Sequence, residues 1–350
     1  MSEYNITVHT SSSQLSKKLS ITKCLFCVSL VTYTFVDITY SLLYRFLLAN
    51  LSVIIILSRE MCGLSKCIVY YLVSMAVTDI LVIITAAILN RIVGIYFPTT
   101  FLSITPACSA NLMLIYGVRD SSVWVTVTFT FDRFIAICCQ KLKMKYCTKK
   151  VAAVVIATAC TLNCIRNIPL YFAYEPSFII NDVPWYCSLK SIYYTSPFWV
   201  AFDWLIVIFN PCLPFILILL LNVLTVRHIV LASRARRRLR TRNNGEKQND
   251  PEMEKRRKSI VLLFAISGSF LLSYLLVLLT FLCVQIANVT YFSGSNYNES
   301  NFILDEGGYM LQLLNSCINP FIYAGTQSKF REQLKKLVKF PLTLVFRKCK

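Results

Sequence analysis

Residues 67–89 read CIVYYLVSMAVTDILVIITAAIL, twenty-three residues with a single charge, Asp79. As a helix this stretch rises about 35 Å, enough to cross a hydrocarbon layer about 30 Å thick. Six further stretches reach the same length. Together the seven run roughly over 30–58, 67–92, 104–138, 149–172, 197–229, 257–287 and 303–326. The other clear one is SIVLLFAISGSFLLSYLLVLLTFLCVQI (259–286), and the weakest is the first, which Asp37, Tyr44 and Arg45 interrupt. The expected fold class is therefore an all-α membrane protein, a seven-transmembrane helix bundle.

Composition agrees with a chain solvated by lipid. Of 350 residues, 56% are hydrophobic and 15% charged, with mean hydropathy +0.59; a soluble domain carries about 25% charged residues. The 15 Cys are scattered through apolar runs rather than spaced as a disulfide scaffold. The polar first 23 residues lack the apolar core and cleavage site of a signal peptide, so the first apolar segment is expected to serve as both signal and span. No internal repeat of the transporter kind is visible. The one polar island is RARRRLRTRNNGEKQNDPEMEKRRK (234–258), between spans five and six.

Charge fixes the expected orientation. With the N-terminus outside, Lys and Arg number 2 in 59–66, 5 in 138–150, 12 in 227–258 and 8 in 329–350. The opposite loops, 93–103, 173–196 and 288–302, hold only Lys190, and the N-terminal tail adds three. This is the positive-inside pattern of a multi-pass protein with a cytoplasmic C-terminus, so the net charge of +19 reflects topology and headgroup attraction, with no nucleic acid among the partners. Three sequons, Asn5-Ile-Thr, Asn288-Val-Thr and Asn298-Glu-Ser, fall outside as glycosylation sites; Asn50-Leu-Ser also matches but lies in a span.

Polar residues inside spans are costly and therefore informative. Asp79 needs partners, and Asn50, Ser122, Asn315 and Asn319 lie at similar depth in other helices. Such a cluster either holds a sodium ion or a proton, or is a structural knot between helices; both readings stay open. No other metal site and no cofactor is expected. Span three ends in Asp132-Arg133, with Cys108 about 37 Å earlier along a helix. Cys108 thus reaches the outer surface, where Cys187 of DVPWYCSLK is a candidate disulfide partner. Span seven ends Asn319-Pro320-Phe321-Ile322-Tyr323. The following SKFREQLKKLVKF spaces Phe330, Leu334 and Leu337 among basic residues, as in a short amphipathic helix on the inner leaflet. Cys349 is a palmitoylation candidate. The expected division is an extracellular tail over 1–29, the bundle over 30–326, and the amphipathic helix with a short cytoplasmic tail over 327–350. An enzyme is not expected: the chain has only His9 and His228, and no nucleophile or metal motif.

The ordered set of Asn50, Asp79, Cys108, Asp132-Arg133, Cys187, Pro214 and Asn319-Pro320-x-x-Tyr323 resembles the rhodopsin-like (class A) G-protein-coupled receptors over about 30–340. SSVWVTVTFTFDRFIAIC (121–138), PCLPFILILLLN (211–222) and MLQLLNSCINPFIYAGTQSKFRE (310–332) are similar to its orphan receptors numbered 139 and 142, a branch associated with aromatic amino acids and small peptides. The resemblance implies a plasma-membrane receptor that couples an extracellular aromatic amino acid or short peptide to heterotrimeric G proteins. It assigns coupling to Asp132, Arg133, Asn222 and Tyr323. It places the ligand among the outer halves of spans three, five, six and seven, at Ile115, Arg119, Asp120, Asp203, Tyr274 and Glu306. Ile115 stands where aminergic receptors carry an acid, which argues against a monoamine, and span seven has no Lys for a retinal Schiff base. Arg119 is expected either to take a ligand carboxylate or to pair with Asp120 or Asp203.

The chain also departs from that pattern. Span six reads Ser273-Tyr274-Leu275-Leu276 where Cys-Trp-x-Pro is usual, and 257–287 holds no Pro. Arg256 stands where some members place an acid against the span-three arginine, so Asp132 is expected to be that arginine's sole partner. The alternatives are a rhodopsin-fold protein that signals weakly or not at all, and a secondary transporter.

Overall fold

The computed structural model describes residues 41–59, 62–242, 251–287 and 300–348. The three sequons at Asn5, Asn288 and Asn298, the N-terminal tail, residues 30–40 of the first span and Cys349 lie outside the described residues, as does the side chain of Arg256. By its contacts the chain divides into Met1–Leu48 and Ala49–Lys350. Of the first unit only 41–48 are described, as the opening turns of a helix, Ser41–Ser58.

Six helices among the described residues are long and apolar enough to cross a membrane: Ser41–Ser58, Lys66–Val93, Thr105–Cys138, Lys149–Ala173, Pro197–Ala235 and Arg257–Leu279. A further helix, Ser300–Thr326, packs along the sixth and is the seventh span; Ser328–Lys348 follows it after a break at Gln327. Local signals set the helix starts. The Ser65 hydroxyl accepts the Ile68 amide at 3.5 Å and the Thr148 hydroxyl accepts the Val151 amide at 3.3 Å, capping spans two and four. Pro106 and Pro197 sit in the first turns of spans three and five, where an amide hydrogen has no helical partner to lose.

Why the spans are apolar on every side is visible in span four. Ala152 and Ile156 are buried in the bundle, while Val154, Leu162 and Ile165 are exposed on the opposite side, where lipid would be the solvent. The largest core cluster joins Leu57, Leu72, Met75, Val125, Phe129, Leu263, Tyr323 and Phe330. In lipid such packing rests on close van der Waals fit, because apolar side chains gain no water exclusion from leaving the acyl chains. Phe330 is buried beneath Tyr323, ring centroids 6.2 Å apart, so the helix after span seven is anchored to the bundle by an aromatic contact, with Leu334 and Leu337 packed on the same cluster.

Two spans depart from regular α geometry. Ile83–Val93 of span two winds as a π-helix. Span five breaks at Asn210, whose backbone is extended (φ −159°, ψ 100°). The cause is Pro211: its ring disfavours the helical conformation of the preceding residue. Pro214, by contrast, lies in the first turn of the helix that resumes at Leu213 and interrupts nothing. Span six, without Pro, belongs to one α-helix, Pro251–Ala287.

The segment between spans four and five folds into two small antiparallel pairs, β1 (Tyr174–Glu175) with β4 (Ser188–Leu189) and β2 (Phe178–Ile180) with β3 (Val183–Trp185). Asn181 and Asp182 turn the inner hairpin with φ of 51° and 59°, a conformation these two residue types tolerate. Cys187 then forms a disulfide with Cys108 in the opening turns of span three, Cα atoms 6.1 Å apart. Beside it, the Tyr186 amide donates to the Ser103 carbonyl and the Thr105 hydroxyl donates to the Tyr186 carbonyl, each at 2.6 Å. These bonds hold Tyr186 at φ 58°, unusual for a bulky residue. The bundle thus has a disulfide end and, at the other end of span three, a basic end.

Candidate functional site

At the basic end, Arg133 and Asp132 form a buried ion pair, and the Arg133 Nε donates to Asp132 Oδ2 at 3.0 Å. Asp132 also accepts the Cys67 thiol at 3.1 Å, and its carbonyl accepts the Cys147 thiol at 3.6 Å. Burial first, and the neighbouring Asp132 second, push the Cys147 thiol up to about 11, so it stays a donor. Arg133 has a partner beyond Asp132: its Nη1 reaches the Ser259 hydroxyl of span six at 3.4 Å. The expectation of a sole partner is therefore corrected, since a serine one turn from position 256 supplies what no acid does. Among the described residues, neither Asn222 nor Tyr323 makes a hydrogen bond to this pair. Asn222 accepts the Ser267 hydroxyl at 3.1 Å, and the Tyr323 hydroxyl points to the Met75 sulfur at 3.7 Å.

Midway along the bundle, Asp79 is fully buried. It accepts the Ser122 hydroxyl at 3.0 Å and the Asn319 amide at 2.7 Å. Asn50 joins one step away, donating to the Ser316 carbonyl at 3.1 Å. Asn315 is buried but makes no hydrogen bond to Asp79 among the described residues, so it does not belong to the knot's first layer. A carboxylate beside a hydroxyl is compatible with sodium, and Asp79 and Ser122 are the residues that would hold the ion; Asn319 turns its NH₂, not its oxygen, toward the acid.

At the disulfide end a cavity of about 410 Å³ opens between spans two, three, five, six and seven and beneath β1 and β4. Ile115, Arg119, Asp203 and Glu306 line it. Asp120 and Tyr274 do not, which corrects their expected place in the pocket. Tyr274 is buried below, stacked on Phe270 with centroids 4.3 Å apart and packed against Val123, Val127 and Ile218. Asp120 is fully buried behind the wall, where Arg166, Asn167 and Asn210 all donate to its carboxylate. Asp120 is thus the hub joining spans three, four and five, and Arg119 does not pair with it.

Arg119 instead lies over the rings of Tyr116 and Tyr309, at 5.2 and 5.6 Å from their centroids. Among the described residues no ion pair joins it to Asp203 either. Asp203 accepts the Tyr193 hydroxyl at 2.9 Å. Burial and that carboxylate push the Tyr193 hydroxyl well above the usual tyrosine range, which fixes it as a donor.

Sequence reasoning missed Arg91 and Asn210. Arg91 reaches the cavity from the π-wound part of span two, pairs with Glu306 at 2.7 Å and lies 4.5 Å from the Tyr309 ring centroid. At a span end it looks like an ordinary interfacial charge. Asn210 had a readable signal, the Asn-Pro dipeptide inside a span, which marks a break. The freed Phe209 carbonyl there accepts the Trp124 indole at 3.2 Å.

Fold and site together describe a seven-helix membrane receptor with a ligand-sized cavity at one end. Residues 49–323 match the family described as "7 transmembrane receptor (rhodopsin family)", and the chain belongs to it. Three Drosophila melanogaster receptors are similar. The FMRFamide receptor is 25% identical over 81% of this chain and 50% of its own length. The tachykinin-like peptides receptor 86C is 24% identical over 77% and 51%. The sex peptide receptor is 23% identical over 83% and 69%. The chain spans about half the length of the first two.

Proposed function

We propose that the chain is a G-protein-coupled receptor for an extracellular peptide, set in the plasma membrane with its disulfide end outward and its basic end in the cytoplasm. The observation that carries this reading is the buried Asp132–Arg133 pair, tied across to span six through Ser259 at the end where the basic linkers lie. Three relatives whose names denote peptide receptors support the ligand class; an aromatic amino acid is a smaller ligand of related chemistry. The division into a tail over 1–29, a bundle over 30–326 and an inner-leaflet helix over 327–350 belongs to this reading.

Signalling would be a population shift. Agonist binds the active arrangement better, and only that difference moves the equilibrium. In that arrangement the basic end of span six swings away, the Arg133–Ser259 bond parts, and a cleft bordered by Arg133, Asn222 and Tyr323 receives the G protein. The coupling is reciprocal, so G protein raises agonist affinity by the same factor. The test is agonist-driven GTPγS binding in membranes of expressing cells, screened with short amidated peptides and aromatic amino acids. A saturable response to a peptide is expected. Surface expression without nucleotide exchange under any ligand would overturn the proposal.

One observation favours a second reading, a rhodopsin-fold protein that signals weakly or not at all. The helix Pro251–Ala287 has no proline hinge, and Ser273-Tyr274-Leu275-Leu276 stands where the family places its usual switch. Ligand binding to intact cells without nucleotide exchange would select it.

A further inference from the structure

The charges around the cavity do not cancel wall against wall. Arg91 and Glu306 neutralise each other, and Arg119 rests on two tyrosine faces. Asp203 is left facing the cavity, half-buried, with an uncharged hydroxyl as its hydrogen-bond partner and no cation within ion-pair distance among the described residues. Seven residues further along span five lies Asn210. Its NH₂ is committed to Asp120, and a carboxylate can only accept, so the amide cannot turn round. The Asn210 Oδ1 is therefore fixed as an acceptor, and it is buried without a partner at the cavity wall. The span-five wall thus offers two acceptors: a carboxylate met by one hydroxyl and, among the described residues, by no cation, and an amide oxygen without a partner among the described residues.

We infer that this wall is a subsite for a basic group: the ligand carries an ammonium or guanidinium that docks on Asp203, with a further N–H donor reaching Asn210. A charge-assisted bond from such a group restores what the half-buried carboxylate lacks. A neutral or acidic group at the same place leaves that carboxylate desolvated and unpaired. The inference rests on the receptor reading for what fills the cavity, and adds to it a basic group on the ligand and the wall that group meets.

The test uses the purified full chain in lipid nanodiscs with two probes of one shape, N-acetylarginine amide and the neutral N-acetylcitrulline amide, and reads unfolding temperature against probe concentration. The arginine probe should stabilise the chain saturably, at a concentration about tenfold lower than the citrulline probe. In Asp203→Asn, nearly isosteric, the two probes should become equivalent, and Asp203→Glu should restore the preference. The unliganded unfolding temperature of each variant shows whether it folds, and the wild-type probe pair stands as a test without any variant. Equal stabilisation by both probes, a preference unchanged in Asp203→Asn, or no stabilisation by the arginine probe would each overturn the subsite. Because the readout is binding alone, an arginine preference in a chain that shows no nucleotide exchange under any ligand would sink the receptor reading and leave the subsite standing. A receptor that responds solely to neutral or acidic ligands would do the reverse.

Discussion

The two ends of the bundle treat their charges differently. At the basic end Arg133 and Asp132 are buried, and their polar atoms meet one another, two thiols and a serine hydroxyl. At the disulfide end Asp203 meets a tyrosine, Arg119 meets ring faces, and the Asn210 oxygen meets nothing. A matched cluster costs energy to open and so behaves as a latch; an unmatched one gains energy when something arrives and so behaves as a receptor surface. On the proposed reading, the first end stores the resting state and the second receives the ligand.

The largest effect should come from breaking the latch. Arg133→Ala is expected to abolish agonist-driven GTPγS binding while surface expression stays near wild type; unchanged second-messenger output would show that this end is not the coupling site. Next is the frame around the cavity. Cys108→Ser removes a disulfide between the helix and strand segments, and its loss should lower stability by about 2–4 kcal/mol, read as a drop in unfolding temperature, with ligand response weakened further. An equal response with the bridge absent would mean that the cavity needs no frame.

Asp79→Asn probes the middle, which belongs to neither end. Interhelical hydrogen bonds of this kind contribute about 0.6 kcal/mol each, so the fold should survive. Sodium chloride should stabilise the wild type over choline chloride, and the variant should lose that difference. Equal behaviour of the two salts in the wild type would leave Asp79 as a structural knot. Smallest is Ser259→Ala, which removes one long bond to Arg133 worth about 0.5 kcal/mol and should raise basal nucleotide exchange roughly twofold. A fall in basal exchange would mean that Ser259 does not restrain span six.

How far sequence could foresee this depended on whether a feature runs along a helix or around it. The spans were legible because bilayer thickness fixes their length, and the Cys108–Cys187 bridge because helix rise sets how far Cys108 lies from Arg133. The partners of Asp120, Arg119 and Arg91 were not. Each depends on the rotation of its helix about its own axis, and a helix apolar on all sides gives no pattern from which to read that angle. Pro214 carries the family resemblance, while the step that actually bends span five is Asn210–Pro211. The hairpin at Asn181–Asp182 carried its own turn chemistry but lay in a loop, where pairing follows from the tether rather than from the strands.

The π-wound stretch Ile83–Val93 has a consequence for bookkeeping across relatives. Each of its turns encloses one residue more than an α turn, since its bonds run from i to i+5. A related chain that winds regularly there would reach the same height with fewer residues. Residue-by-residue equivalence would then slip beyond Val93 unless a gap were placed inside the helix.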